Sequence, residues 1–340
     1  MWTTEEVEGE VSEKSLRDEA NHGHLVLAKA LPGTSGSLAL ERMQKKIAAA
    51  ATGDILSSPG KQNGNSRCKE RETSMTSKSG EIILITRSDD FGYTHSGNLG
   101  MIDCLRFGFI KSAAILAVAP WFEEAAQMAR ENPDVCFGAH LGIIGEWRGY
   151  RWRPVLPWSK VSTLVDEDGF LWRWPAEFWA HNPNMDELEE EFTAQVNLVR
   201  KKGVKIDYLD THYMMPSDER IRPIIERISK SQGLPVSGLL EEHELPDFGI
   251  YSVPPEDKEM ALVRVLEQLQ PGVHLLIGHP GYRSLENDAL MHSDPKDVQT
   301  LGTGRLRAGE AAAYMSLRVK KVVEDRGIKL MSYREYCKPE

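Results

Sequence analysis

The chain has 340 residues, of which 41% are hydrophobic, and a formal net charge of −10, so it can bury a sizeable core while its acidity argues against a general nucleic-acid binder. No apolar run approaches the roughly 20 residues that a membrane-spanning helix needs, and the N-terminus does not resemble a secretory signal. The four cysteines are scattered and form no CxxC pair, so neither a zinc knuckle nor a disulfide scaffold is indicated. These features predict a cytoplasmic protein with reduced thiols that binds neither nucleic acid nor a membrane.

Residues 1–78 differ in composition from the rest, because Trp2 is their only aromatic residue. Such a segment buries too little apolar surface to offset the entropy of ordering, so we predict a largely disordered extension. Apolar residues at helical spacing between positions 37 and 51 predict one weakly amphipathic helix within it. Met75 lies just before the first strand-like run, and one hypothesis is that the segment upstream of it is a misassigned start, which mass spectrometry of the native N-terminus would test.

From residue 81 onward, strand-like apolar runs alternate with helical patterns, which indicates βα units around a parallel sheet. The predicted strands are 82–86, 112–116, 136–141, 208–212, 236–240, 273–277 and 329–332, and the predicted helices are 97–107, 122–131, 185–202, 218–232, 255–269 and 309–326. Seven strands favour a barrel, so we predict one α/β domain over residues 79–340, a catalytic β/α barrel. A tryptophan-rich insertion at about 143–184 is too aromatic for a disordered loop.

Titratable residues stand at the ends of four predicted strands, and parallel strands of a barrel would aim them at one mouth. They are Asp89 and Asp90, His140, Asp210 with His212, and His279. A single histidine at a strand end is more often a hydrogen-bonded structural residue than a ligand. Four such strand ends together indicate a shared site.

One carboxylate and two imidazoles form a facial set that holds a divalent cation and leaves positions open for water and substrate. Asp90, His140 and His212 would be those ligands, as in hydrolytic metal sites. Asp210 shares a strand face with His212 and suits an outer carboxylate that fixes an imidazole tautomer. The remaining carboxylate, Asp89, is free to act as a base, and His279 is placed to give a proton to a leaving group.

These motifs resemble the YdjC-like carbohydrate deacetylase family, which includes chito-oligosaccharide deacetylases. The matching segments are 88–92 (SDDFG), 139–141 (AHL), 209–212 (LDTH) and 278–281 (GHPG), and the similarity covers about residues 81–336. The resemblance implies a distorted seven-stranded β/α barrel, like those of glycoside hydrolases and deacetylases, that hydrolyses the N-acetyl group of an amino sugar. It also implies metal-ligand positions at Asp90, His140 and His212, the general base at Asp89 and the general acid at His279.

The insertion supplies the predicted substrate contacts. A tract at 146–154 resembles a branch of the same family, and within it Trp147, Tyr150, Arg151 and Trp152 are candidates for binding the sugar. Aromatic faces stack on pyranose rings, while core packing of the same tryptophans is an equal alternative. Arg151 could hold an anionic group or pair with one of the many acids.

Several alternatives stay open at this point. Imidazole ligands favour Zn²⁺ by intrinsic affinity, whereas the family resemblance allows Mg²⁺. A different metal-assisted hydrolysis or a sugar isomerisation on the same barrel, or a carbohydrate-binding relative without turnover, competes with deacetylation of a small carbohydrate. The sequence does not decide between a monomer and a homo-oligomer.

Overall fold

The structure is a computed structural model that describes residues 80–214, 216–294, 296–297 and 302–338. The predicted extension over 1–78, its helix and Met75 lie outside these residues. In the part of the chain that is described, no helix combines the length and the apolar character needed to cross a bilayer.

Seven parallel strands form one sheet, with the order β4-β3-β2-β1-β6-β5 and with β7 on β1. The strands are β1 Ile82–Phe91, β2 Ser112–Leu116, β3 Cys136–Leu141, β4 Tyr208–Thr211, β5 His243–Glu244, β6 Gly272–Gly278 and β7 Lys329–Met331. Strand β1 is buried along its whole length and is the centre of the sheet. One of its edges pairs with β6, while the other is shared by β7 near its start and β2 near its end.

The sheet is curled but does not close into the predicted barrel. Strands β4 and β5 are the two ends of the order, and the described residues show no ladder between them. The predicted strand 236–240 was wrong, because only Val236 forms an isolated bridge, to Leu209 on β4. Gly238 then adopts a φ of +80° and donates its N–H to the Glu242 carboxylate, so the chain turns away before a ladder can form.

Ten α-helices flank this sheet in the described residues. They are α1 His95–Phe107, α2 Phe122–Glu131, α3 Pro175–Ala180, α4 Met185–Lys201, α5 Arg222–Gln232, α6 Lys258–Gln268, α7 Leu285–Ala289, α8 Thr303–Met315, α9 Leu317–Asp325 and α10 Tyr333–Tyr336. Helix α4 forms as its sequence predicts, since the side chain of Asn184 caps its N-terminus. Its apolar face, which includes Leu188, Phe192 and Val196, is buried, and each such side chain contributes about 1.5–3 kcal/mol.

One predicted helix, 309–326, is two helices in the structure. Helix α8 begins earlier, at Thr303, and ends at Met315, and α9 starts at Leu317. Ser316 separates them in an extended conformation, and its hydroxyl accepts hydrogen bonds from the N–H groups of Arg318 and Val319. Because Ser316 is a good N-cap, its local hydrogen bonds compete with a continuous helix.

Candidate active site

Strand β1 changes direction where its two acids lie. Asp90 has a φ of +67°, in the left-handed region that few non-glycine residues adopt, and the pairing with β2 shifts register between Ser88 and Phe91. Such a bulge re-aims side chains at a strand end. Gly92, with a φ of +118°, completes the turn, and its N–H is bound by the side chain of Asn98 on α1.

The structure brings Asp90, His140 and His212 together at the ends of β1, β3 and β4. Asp90 Oδ1 lies 3.1 Å from His212 Nδ1 and 3.5 Å from His140 Nε2, and these two nitrogens are 3.2 Å apart. The three residues are 2%, 5% and 2% exposed for Asp90, His212 and His140 respectively. Three potential metal-ligand atoms therefore converge on one buried point, and their role as ligands stays a prediction.

The other nitrogen of each imidazole is bound by a carboxylate. His140 Nδ1 lies 2.8 Å from Asp210 Oδ1, and His212 Nε2 lies 3.0 Å from Glu146 Oε2. Each carboxylate is an acceptor, so it fixes the proton on the nitrogen that it faces and leaves the other nitrogen with a free lone pair. His140 would therefore bind a cation through Nε2, and His212 through Nδ1.

Asp90 divides its two oxygens between different partners. Oδ2 accepts a hydrogen bond from Arg307 Nη2 at 2.7 Å, whereas the buried Oδ1 faces the ring nitrogens of His140 and His212, which carry no proton when the other nitrogen of each ring does. A buried carboxylate oxygen without a donor is costly unless it has a ligand. Together with the two imidazole lone pairs, this oxygen makes a donor set that fits a divalent cation.

Asp89 is held differently, by a guanidinium on its own strand. Arg87 donates from Nε to one Asp89 oxygen at 2.6 Å and from Nη2 to the other at 2.7 Å, and it also pairs with Asp210 at 3.0 Å. This fork fixes the Asp89 carboxylate beside the ligand cluster. Asp89, His140 and Asp210 also lie close enough to hold an ion, but Arg87 already pairs with both acids, so the set around Asp90 is the better cation site.

The cluster has an excess of negative charge that suits a cation. Its four carboxylates are Asp89, Asp90, Glu146 and Asp210 and its two guanidiniums are Arg87 and Arg307, which gives −4 + 2 = −2 with neutral imidazoles. Burial opposes protonation of His140, yet the charges of Asp210 and Asp89 raise its pKa to about 10. Burial likewise opposes protonation of His212, and Glu146 and Asp90 raise its pKa to about 9. Without a metal, protons would therefore occupy the ligand nitrogens at neutral pH.

His279 directly follows β6 and lies near enough to the cluster for the charges of Asp90 and Asp89 to act on its ring. Its main-chain N–H donates to Glu310 at 2.5 Å, and its ring is 5.6 Å from the ring of Tyr251. Burial lowers the pKa of His279 to about 4, so the imidazole is neutral at pH 7. As an acid it would have to receive its proton during the reaction.

The predicted substrate contacts in the insertion are mostly packed inside the fold. Trp147 and Trp152 are fully buried, and the Trp152 ring lies 5.5 Å from that of His212. The Tyr150 hydroxyl donates to the main-chain oxygen of Tyr93 at 2.6 Å. Arg151 pairs with Asp166 at 2.7 Å. Trp152 thus packs against His212, and the sugar-binding role of all four residues stays a prediction.

The chain is similar in sequence to a known family and to several of its relatives. The family described as "YdjC-like protein" matches residues 83–325. The chain belongs to this family. A Thermoanaerobacter pseudethanolicus protein named "Carbohydrate deacetylase" is 28% identical over 209 residues, which is 58% of this chain and 81% of the relative. An Enterococcus faecalis protein of the same name is 26% identical over 270 residues, which is 74% of this chain and 96% of the relative.

A solved structure of similar fold supports the architecture. It is an Enterococcus faecalis protein described as a cellobiose-phosphate cleavage protein, with a TM-score of 0.61 and 24% identity. The match covers 74% of this chain and 98% of the other. Nearly the whole of that protein therefore shares its fold with about three quarters of this chain.

Three charged residues of this YdjC-like site are not among the predicted site residues. Arg87 could have been found, because it precedes Asp89 by two positions and residues two apart share a strand face. Glu146 is marked only by its place in the 146–154 tract that resembles a branch of the family. Nothing in the neighbouring sequence links it to His212, which is 66 positions away. Arg307 is 217 positions from Asp90, and no feature of its own segment marks it.

Proposed function

We propose that this chain is a metal-dependent carbohydrate deacetylase that hydrolyses the N-acetyl group of an amino sugar. The observation that carries the proposal is the buried convergence of Asp90, His140 and His212 beside Asp89 and His279. The names of the family relatives support the same reaction. We assign the activity to residues 79–340, with 143–184 as an insertion that supports the site.

In this proposal Asp90 Oδ1, His140 Nε2 and His212 Nδ1 would hold one divalent cation. A cation so held polarises a carbonyl and lowers the pKa of water that it binds. Two imidazoles favour Zn²⁺ by intrinsic affinity, while the net charge of the cluster also suits Mg²⁺. Elemental analysis of the purified protein separates these two metals.

The remaining residues would move the proton. Asp89 is held by Arg87 next to the candidate ligands. It accepts a proton from the attacking water while the water oxygen bonds to the acetyl carbon. The carbon–nitrogen bond then breaks, which gives acetate and a free amine. His279 starts neutral, so it would take up the proton that Asp89 has accepted from the water and deliver it to the departing nitrogen.

The test combines acetate release with metal content. We expect acetate from a panel of N-acetylated amino sugars and no product from matched phosphate esters. Asp90→Ala and His140→Ala should lose both metal and activity, whereas Asp89→Asn should keep metal and lose turnover. Release of phosphate without acetate, or full activity of these variants, would refute the proposal.

A further inference from the structure

Tyr213, which directly follows a ligand histidine, has an unusual backbone. Its φ is +59°, and the N–H of Met214 donates to the carbonyl of His212 at 2.7 Å, which reverses the chain around it. An aromatic residue in the left-handed region costs about 1–3 kcal/mol and persists only where the surroundings require it. The turn sets the Tyr213 ring on edge against His212, with 4.8 Å between centroids, and 5.5 Å from Trp174.

The hydroxyl of Tyr213 is bound by a buried histidine from another part of the chain. Tyr213 Oη lies 2.5 Å from His292 Nε2. His292 is fully buried, with Trp147 and Trp174 edge-on to its ring at 5.8 Å and 5.6 Å. The segment that carries it is tied to the insertion, because the N–H of Ser293 donates to the main-chain oxygen of Glu146 at 2.7 Å.

The second nitrogen of His292 decides the direction of this hydrogen bond. His292 Nδ1 lies 3.1 Å from the main-chain nitrogen of Asp294, which can only donate. A proton on Nδ1 would face that N–H, so the proton must be on Nε2. His292 therefore donates to Tyr213, and the phenolic oxygen accepts. The phenolic proton must then point elsewhere, and the described residues provide no acceptor for it.

We propose that Tyr213 is a catalytic residue whose hydroxyl donates a hydrogen bond to the acetyl oxygen of the substrate. The inference rests on the deacetylase function proposed above. The Tyr213 ring packs edge-on against that of His212, so the phenol is part of the wall beside the candidate cation ligands. A fixed donor there stabilises the negative charge that this oxygen gains when water attacks, and it acts mainly on the transition state. His292 is the positioning residue that holds the phenol.

The first test measures the proton on His292 and does not depend on activity. Histidine labelled with ¹⁵N gives different nitrogen shifts for the two tautomers, and the spectrum of His292→Gln identifies this ring among the ten histidines. We expect protonated Nε2 and unprotonated Nδ1. A proton on Nδ1 would overturn the inference, because the phenol would then donate to His292.

The second test removes only the hydroxyl. Tyr213→Phe should lower kcat by about 10²–10³-fold, with KM within a factor of about three and unchanged metal content, since a donor to a developing oxyanion has an effect of that size. Tyr282→Phe is the matched control, because its hydroxyl donates to Asp103 at 2.6 Å outside the cluster, and it should keep wild-type kcat. Wild-type kcat in Tyr213→Phe, or loss of its metal, would refute the role. If the wild-type protein releases no acetate, the proposed function fails, and the labelled spectrum still tests the direction of the hydrogen bond.

Discussion

Two substitutions of Glu146, to glutamine and to leucine, should weaken metal binding to different extents. Its carboxylate accepts from His212 Nε2 at 3.0 Å and is fully buried, so it both orients the ligand ring and adds negative charge to the cluster. Glutamine keeps an acceptor but removes the charge, whereas leucine removes both. Loss of a carboxylate behind a ligand histidine typically lowers affinity 10–100-fold. We expect about tenfold for Glu146→Gln and about a hundredfold for Glu146→Leu, which correspond to about 1.4 and 2.7 kcal/mol.

Isothermal titration of the chelator-treated protein with Zn²⁺ and with Mg²⁺ measures these affinities. The matched control is Glu191→Gln on α4, because Glu191 is equally buried but binds the N–H groups of Val155 and Leu156 rather than a ligand. It should lose stability and keep its metal affinity. If Glu146→Leu binds metal like the wild type, or if Glu191→Gln weakens binding equally, Glu146 has no specific role behind His212.

Two further predictions concern protonation and packing. In the metal-free protein the pKa values of His140 and His212 are raised from 6.5 to about 10 and about 9, so their stabilising contribution is complete below pH 6.5 and is lost as the pH rises through 9 to 10. Urea unfolding with chelator present should therefore show a free energy of unfolding that falls between pH 6.5 and about 10. A free energy of unfolding that does not change with pH would contradict the assigned charges. Gly100→Ala should destabilise the fold by about 1–3 kcal/mol and lower kcat, because its new methyl group would lie 2.7 Å from the backbone of Gly281, in the turn that follows His279. Thermal unfolding and acetate release measure both effects, and an unchanged melting temperature would show that α1 can move away from this turn.

The strand ends could be predicted because their signals are local. A short apolar run that stops at a carboxylate or an imidazole is visible in the sequence around Asp90, His140 and His212, and the same runs give the observed bounds of β2 and β3. The prediction of strand 236–240 was wrong for a reason that the pattern of apolar residues does not show. Ser237 binds Arg87 and Tyr333, and Gly238 turns the chain, so polar contacts replace the expected ladder.

The role of the insertion could not be predicted in the same way. Its tryptophans have the same composition whether they face a sugar or fill a core. The structure buries both Trp147 and Trp152 in one hydrophobic cluster, and the Trp152 ring lies 5.5 Å from that of His212. Only the residues that the tryptophans contact, which come from other parts of the chain, distinguish sugar binding from core packing.

The sequence by itself determined the class of fold and the residue types of a cation site, since periodicity and strand-end chemistry are properties of neighbouring residues. Tertiary structure decided which nitrogen of each histidine faces the site, which acids stand behind them, and that the sheet stays open. These features depend on contacts such as Asp90 with Arg307 and His212 with Glu146, between residues far apart along the chain. Hydrogen bonds of this kind form only when folding brings a donor and an acceptor within about 3 Å in a particular orientation, and no local pattern encodes that distance.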